Sequence, residues 1–317
     1  MALCPGKALR VVFGETVTAL ANDDPRIVVL DGDVGSSTGV ETFETAHPDR
    51  FLQMGIAEEN MLAAAAGLAS EGFVPIVSAF ACFVVGRAFD SIRVLIAQPS
   101  LNVKIVGGYA GLLTGKTGKT HQIFNDVAIM RTLAGITVLA PADEVEARQA
   151  IQAMVAVDGP VYMQLTREPS PILFQEDYRF EIGRSVVVRE GSDVTLVSTG
   201  VQTTRVYEAA EILARQGVEA LVLHVPTIKP IDEEGIVQAA SATGLVVVVE
   251  EQSVLGGLGG AVAEVLSDHY PVPVKRLGIQ DTYGESGPNE RLFEKYRLSA
   301  SAVAQDVQVI LSKKILV

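Results

Sequence analysis

Short β-branched apolar runs alternate with longer amphipathic stretches along most of the chain. In the first half, runs at 27–30, 73–78, 103–106, 137–139 and 161–165 predict strands. Helical patterns at 56–70, 87–96, 126–133 and 144–155 lie between them. The stretch 169–193 breaks the alternation with Pro169, Pro171, Gly183 and Gly191, and shows little helical periodicity. The pattern then restarts, with strands expected at 194–198, 220–224, 245–249 and 274–278, and helices at 204–216, 232–242, 261–269 and 299–311. Such alternation signals parallel strands joined by crossover helices. We therefore expect an α/β chain of two parallel-sheet domains, residues 1–170 and 193–317, connected by a linker at 171–192.

Composition narrows the classes of function. The 317 residues are 48% hydrophobic and 20% charged, enough apolar surface for large cores. No apolar run approaches the roughly 18 uncharged residues of a membrane span, and MALCPGKALR carries no apolar signal region. Cys4 and Cys82 offer neither a disulfide framework nor metal-ligand spacing, and Cys82 reads as a small core residue. A cytoplasmic protein without membrane partners is the expectation. The net charge of -13, from 25 Lys+Arg against 38 Asp+Glu, argues against nucleic acid. An anionic small substrate needs only one or two placed cations and stays open.

Ligands of open α/β sheets collect beyond the carboxyl ends of the strands, and the polar segments that follow the first-half strands are the candidate sites. FLQMGIAEENM (51–61) sets Glu58 and Glu59 between apolar residues at the start of an alanine-rich helix. Either they cap the helix or form a surface ion pair, or one carboxylate exchanges a proton with something bound. DGDVGSST (31–38) is turn chemistry or a cleft wall carrying Asp33. In SAFACF (78–83), Phe80 and Phe83 stand three apart and share one side of a helix start, as core or as a ligand platform. GGYAGLLTGKTGKTHQ (107–122) is a glycine-rich loop that can approach a ligand closely. Its GLLTGKT segment is no P-loop, because the glycine spacing is too short and Gly118 denies the following helix. His121, one of four histidines, lies on this polar loop rather than on an apolar face. Arg167 beside Glu168 is a solvated pair or an anchor for a carboxylate or phosphate. The glycines at 256–260 read as close strand–helix packing in preference to a dinucleotide site.

Taken in order, GIAEENM (55–61), SAFACF with GRAF (86–89), THQ (120–122), PAD (141–143), EEQS (250–253) with GGLG (256–259), and DTYGESG (281–287) resemble the split transketolases. The match is to the subunit that carries the pyrimidine-binding and C-terminal domains, and it spans nearly the whole chain. The resemblance implies thiamine diphosphate as cofactor. Glu58 would hydrogen-bond the pyrimidine N1′, the contact that prepares the thiazolium C2 for deprotonation, while Glu59 would lie in a supporting or interface position. Phe80 and Phe83 would form the pyrimidine's aromatic pocket, and Asp33 and Val34 would touch the middle of the cofactor. Ser37 and Arg167 would hold a substrate phosphate, and His121 would sit near the substrate carbonyl.

Three departures from the family pattern bear on the substrate. Thr117 stands where an Asp is usual, Tyr109 where a His is usual, and Arg10 lies one residue off the second phosphate-binding arginine. The Gly-Asp-Gly motif and later Asn that hold Mg²⁺ are missing, since Gly32-Asp33-Val34 does not match. The resemblance thus implies a second subunit supplying the diphosphate and Mg²⁺ half, with two copies of each chain in a heterotetramer. Its expected activity is transfer of a two-carbon ketol unit between sugar phosphates. The alternatives are a β subunit of a 2-oxoacid dehydrogenase first component, a condensing enzyme like 1-deoxyxylulose-phosphate synthase, or a non-catalytic scaffold.

Overall fold

The structure, a computed structural model, describes residues 3–314. Its larger sheet has seven strands in the order Thr227–Lys229, Thr137–Leu139, Val161–Gln164, Lys104–Gly108, Val74–Phe80, Ile27–Asp31 and Phe51–Gln53. All neighbours are parallel except the first pair. Every residue of Ile27–Asp31, Val74–Phe80 and Lys104–Gly108 is buried. Helices cover both faces, which explains why these strands read as continuous apolar runs rather than alternating ones. The smaller sheet runs Val274–Ile279, Val246–Ser253, Val194–Ser198, Ala220–His224 and Val186–Arg189, antiparallel only at the last pair. Both parts are the parallel α/β units expected.

The junction differs from the expected linker. Pro169–Ile172 pairs antiparallel with Cys4–Ala8, and Val186–Arg189 joins the smaller sheet as an edge. Both are short edge pieces, and edge positions tolerate proline. Thr227–Lys229, from the second half of the sequence, pairs with Thr137–Leu139 of the first. One buried cluster runs from Leu9 and Phe13 through Val106 and Met163 to Leu196, Val249 and Phe293, so a shared core crosses the junction.

Three helical segments also depart from expectation. Leu9–Asp23 was not predicted, because Gly14, Thr16 and Thr18 weaken its propensity. Thr16 and Thr18 return their hydroxyls to the Val12 and Gly14 carbonyls, each at 2.7 Å. The helix is held by tertiary packing: Gly14 lies so close to Gly39 that a methyl group there would strike the Gly39 carbonyl. The helix expected at 87–96 is a short turn, Phe89–Ser91, running into a π-helical turn, Ile92–Ala97. Asn289–Lys295 is a further short helix that the pattern did not reveal.

A buried polar chain pins the two halves together. Glu146 accepts N–H from Ala142 (2.7 Å) and hydrogen-bonds His224 Nε2 (2.8 Å) through Oε2, while Oε1 accepts the Tyr178 hydroxyl (2.6 Å). The other His224 nitrogen meets the Thr203 hydroxyl at 2.7 Å. A hydroxyl, an imidazole and a carboxylate in line resemble a nucleophilic triad. Here Thr203, His224 and Glu146 are all 0% exposed, so no substrate reaches them and the chain is structural. His224→Leu is expected to lower unfolding stability by about 3 kcal/mol, because it leaves a buried carboxylate and a hydroxyl each one partner short. Thr203→Val, at the end of the chain, should cost about 1 kcal/mol; denaturant midpoints of the two variants measure both.

Candidate active site

Three adjacent parallel strands bring their carboxyl ends together, with Asp31 opposite Ser78 and Phe80 opposite Gly108. The residues just beyond these ends build the site. Phe80 closes its strand, and Phe83 follows on the one-turn helix Ala81–Val84. Their rings stack at 5.9 Å and 25°. Tyr109 stacks on Phe80 more closely, at 4.1 Å and 22°. His121 stands edge-on to both phenylalanines, at 6.1 Å from Phe80 and 5.4 Å from Phe83.

Glu58 opens the helix Glu58–Ser70 and is only 2% exposed. It makes an ion pair, as one reading of the sequence allowed, but a buried one: Arg87 Nη1 donates to Glu58 Oε2 at 2.8 Å. The Arg87 guanidinium is half exposed and lies 5.0 Å from the Phe83 ring centre, a cation–π distance. Glu59 faces outward and is exposed.

Asp33 and Val34 occupy the next loop. Buried Asp31 organises it, its Oδ2 accepting N–H from Val34 and Gly35 (3.1 Å each) and from the Gln53 side chain (2.9 Å). Its Oδ1 is buried without a partner, and burial pushes the carboxyl above its usual range. Gln53 Oε1 in turn accepts N–H from Asp33 (3.1 Å) and Gly55 (3.0 Å), tying this loop to the turn that leads into Glu58. Asp33 and Tyr109 both have positive φ, 64° and 58°, which costs a non-glycine residue free energy and recurs at ligand sites. Ser37 lies on the short helix Gly35–Thr38. Arg10 reaches the same loop, donating to the Ser36 carbonyl at 3.1 Å, while its Nε is buried without a partner.

Arg167 donates from Nε to the Tyr109 hydroxyl at 2.9 Å and pairs with Glu168 at 3.1 Å. Contacts thus run continuously from Glu58 through Arg87, Phe83, Phe80 and His121 to Tyr109 and Arg167. Thr117 is less directly involved: its hydroxyl turns back on the Thr114 carbonyl (2.7 Å) and hydroxyl (2.5 Å). A cavity of about 1010 Å³ opens beside the His121 loop, lined among others by Gly86, Lys119, Gln122, Ser253 and Tyr283. Cys82 is half buried next to the site, and burial pushes its thiol up to about 12, which makes it a poor nucleophile. Arg87, Asp31 and Gln53 lie inside motifs that the sequence offered, but the pairings Arg87–Glu58 and Gln53–Asp31, 29 and 22 positions apart, had no local signal.

The second half contributes two buried glutamates. Glu250 accepts N–H from Leu258 and Gly259, each at 2.8 Å, at the start of the helix Leu258–His269. That is where a dinucleotide phosphate would sit, so the glycine run serves packing and an internal cap. Glu251 Oε2 accepts the Leu112 N–H at 2.9 Å and supports the glycine-rich loop from below. Among the described residues, no three His, Cys, Asp or Glu side chains come together to hold a metal ion, and no helix is long and apolar enough to cross a membrane.

Fold and site together define a two-domain α/β chain whose strand ends gather a buried carboxylate and a cluster of aromatic rings. The profile of the transketolase pyrimidine-binding domain matches residues 6–171, and that of the transketolase C-terminal domain matches 183–303. The chain is 40% identical over 306 residues to the 6-deoxy-6-sulfo-D-fructose transketolase subunit SqwH of Clostridium sp. (strain MSTE9), covering 96% of this chain and 95% of that protein. It is 35% identical to 1-deoxy-D-xylulose-5-phosphate synthase 1 of Geobacter sulfurreducens over 96% of this chain but 48% of that protein. A solved split-gene transketolase, described as an inactive beta4 tetramer, superposes with a TM-score of 0.88 at 44% identity, covering 97% of this chain and 99% of that one. The chain belongs to the transketolase family, as a subunit of the split, thiamine-diphosphate-dependent type.

Burial pushes the carboxyls of both Glu250 and Glu251 up to about 7. A raised folded value means that the native state keeps protons which the unfolded chain releases near pH 4.5. Their stabilisation is therefore complete below that pH and is lost as pH rises toward 7. Each is worth on the order of 3 kcal/mol at most. Glu251→Gln keeps an acceptor for Leu112 and cannot ionise, so relative to wild type it should gain stability between pH 5 and pH 8. Denaturant midpoints at the two pH values check this.

Proposed function

We propose that this chain supplies the pyrimidine-side half of a transketolase that transfers a two-carbon ketol unit between phosphorylated or otherwise anionic sugars. The observation that carries the reading is Glu58, a carboxylate buried at a helix start and linked through Arg87 to the Phe83 ring of the Phe80–Phe83–His121 cluster. An aminopyrimidine fits these residues: the rings offer flat apolar faces and Glu58 offers a sheltered acceptor for a ring nitrogen. When bound, thiamine diphosphate supplies the nucleophilic carbon that cleaves the bond beside a ketose carbonyl. Glu58 holds the pyrimidine nitrogen, Phe80 and Phe83 keep water from it, and Asp33 and Val34 meet the middle of the cofactor. His121 holds or moves a proton at the substrate oxygen.

Ser37 and Arg167 take the anionic end of the sugar, with Arg10 brought to the same loop through its bond to Ser36. Tyr109 orients Arg167 through their 2.9 Å hydrogen bond. Tyr109 and Thr117 favour a sugar other than the usual pentose phosphates. Mg²⁺ and the diphosphate are held by a second subunit, in an assembly of two copies of each chain about a two-fold axis. The cytoplasm suits two free cysteines, one of them exposed.

The test combines the chain with its partner subunit, Mg²⁺ and thiamine diphosphate. Glycolaldehyde transfer is then followed from several ketose phosphates and from 6-deoxy-6-sulfo-D-fructose, the sugar in the name of the Clostridium relative. Turnover is expected in the complex only. No turnover with any ketose by a folded complex sinks the reading, and consumption of pyruvate with an aldose phosphate would replace it with the condensing reaction. Within an active complex, Glu58→Gln should lower kcat by at least about 100-fold with an unchanged melting curve. Arg167→Ala should raise the KM for the anionic ketose by about tenfold or more.

A further inference from the structure

The loop that carries His121 is poorly equipped to hold its own shape. Residues 107–122 include five glycines, and the only regular structure beyond the strand end is the single turn Gly115–Thr117. Ordering glycines is entropically expensive, so something outside the loop must fix it.

The second domain does so at successive points. Glu251 accepts the Leu112 N–H at 2.9 Å. Asn289 Oδ1 accepts the Gly115 N–H at 2.9 Å, and the Gly115 carbonyl accepts the Gly287 N–H at 2.9 Å. Gln122, which is buried, donates from its side chain to the Glu285 carbonyl at 3.2 Å. Two glycines permit the approach. A methyl on Gly118 would strike the Ser286 hydroxyl, and one on Gly284 would strike the Gln122 amide oxygen. The clamping segment is itself anchored, with Lys295 on Glu285 at 2.6 Å and Leu292 buried beneath Gly287. Inside the loop, the backbone N–H groups of His121 and Gln122 both donate to the Gly118 carbonyl, at 3.0 and 3.1 Å. The position of His121 against Phe80 and Phe83 is therefore referred, through Gly118 and Gly115, to the segment 284–289.

We propose that this segment of the second domain sets the position of His121, with Asn289 and Gln122 as positioning residues for the ketol-transfer reaction. The proposal rests on the transketolase reading for its catalytic consequence, though not for the clamp itself. Neither side chain needs to touch substrate; each acts by holding the backbone from which His121 projects, and errors of about 1 Å in such placement can cost about 100-fold in rate.

The test uses the full chain, alone and with its partner subunit. In Asn289→Ala, amide hydrogen exchange across residues 111–122 is expected to quicken by about tenfold or more, and kcat/KM for the ketose to fall by about tenfold. Thiamine diphosphate affinity should stay within about twofold. Asn289→Asp keeps the acceptor oxygen and should restore both exchange and turnover. If Asn289→Ala fails to fold, Gln122→Met removes the bond to Glu285 and makes the same test. Wild-type exchange in a folded variant overturns the clamp. A fall in turnover matched by an equal fall in cofactor affinity overturns the positioning role. A wild-type complex inactive on every ketose refutes the transketolase reading, while the exchange measurement still decides the clamp.

Discussion

A buried carboxylate calls for a compensating charge, and at Glu58 that charge comes from Arg87. The geometry is asymmetric: Glu58 is sealed into the protein, while the guanidinium lies on the Phe83 face with half of its surface in solvent. An exposed head on a flexible stem can move at little cost, whereas the carboxylate cannot. Glu58 is thus held in place by the helix start and the alanine-rich face behind it. Its partner is the half of the pair that can move. Arg87 joins that carboxylate to the Phe83 ring, and the Asp31–Gln53 brace holds Gly55 in the turn that leads into Glu58.

The brace and the clamp divide the work between the two ends of the site. Asp31 and Gln53 organise the loop of Asp33 and Val34 from within the first domain, using side-chain bonds between adjacent strands. The glycine-rich loop of His121 is organised from the second domain by Glu251, the Glu285 carbonyl and Asn289. One loop is thus braced within its own domain and the other from the neighbouring domain. Tyr109 stands where the two meet, stacked on Phe80 and bonded to Arg167.

How much of this was legible in the sequence follows from the range of the interactions. The central strands were, because burial on both faces makes each a continuous apolar run; Thr137–Leu139, Val194–Ser198 and Ala220–His224 agree with expectation at both ends. The helix Leu9–Asp23 was not, because its glycine and threonines argue against a helix until Gly39 packs on it. Glu58, Phe80, Phe83 and His121 were singled out by the motifs that carry the family resemblance, while local spacing alone left a cap, an ion pair or core packing open for the first three. The roles of Arg87, Gln53 and Asn289 were not, since each looks like an ordinary polar residue until its partner, 29, 22 or 174 positions away, is brought beside it. The edge strands Pro169–Ile172 and Val186–Arg189 escaped for the same reason: an edge is defined by its neighbour.

Thr227–Lys229 lies beyond the start of the second profile match at residue 183, yet it completes the first sheet by pairing with Thr137–Leu139. The boundary seen in family profiles is therefore not a boundary in the hydrogen-bond network. Separated at that point, the first part would present Thr137–Leu139 as a bare edge, the kind of surface that recruits strands from other molecules. The unit that closes its own sheets is therefore the two parts together.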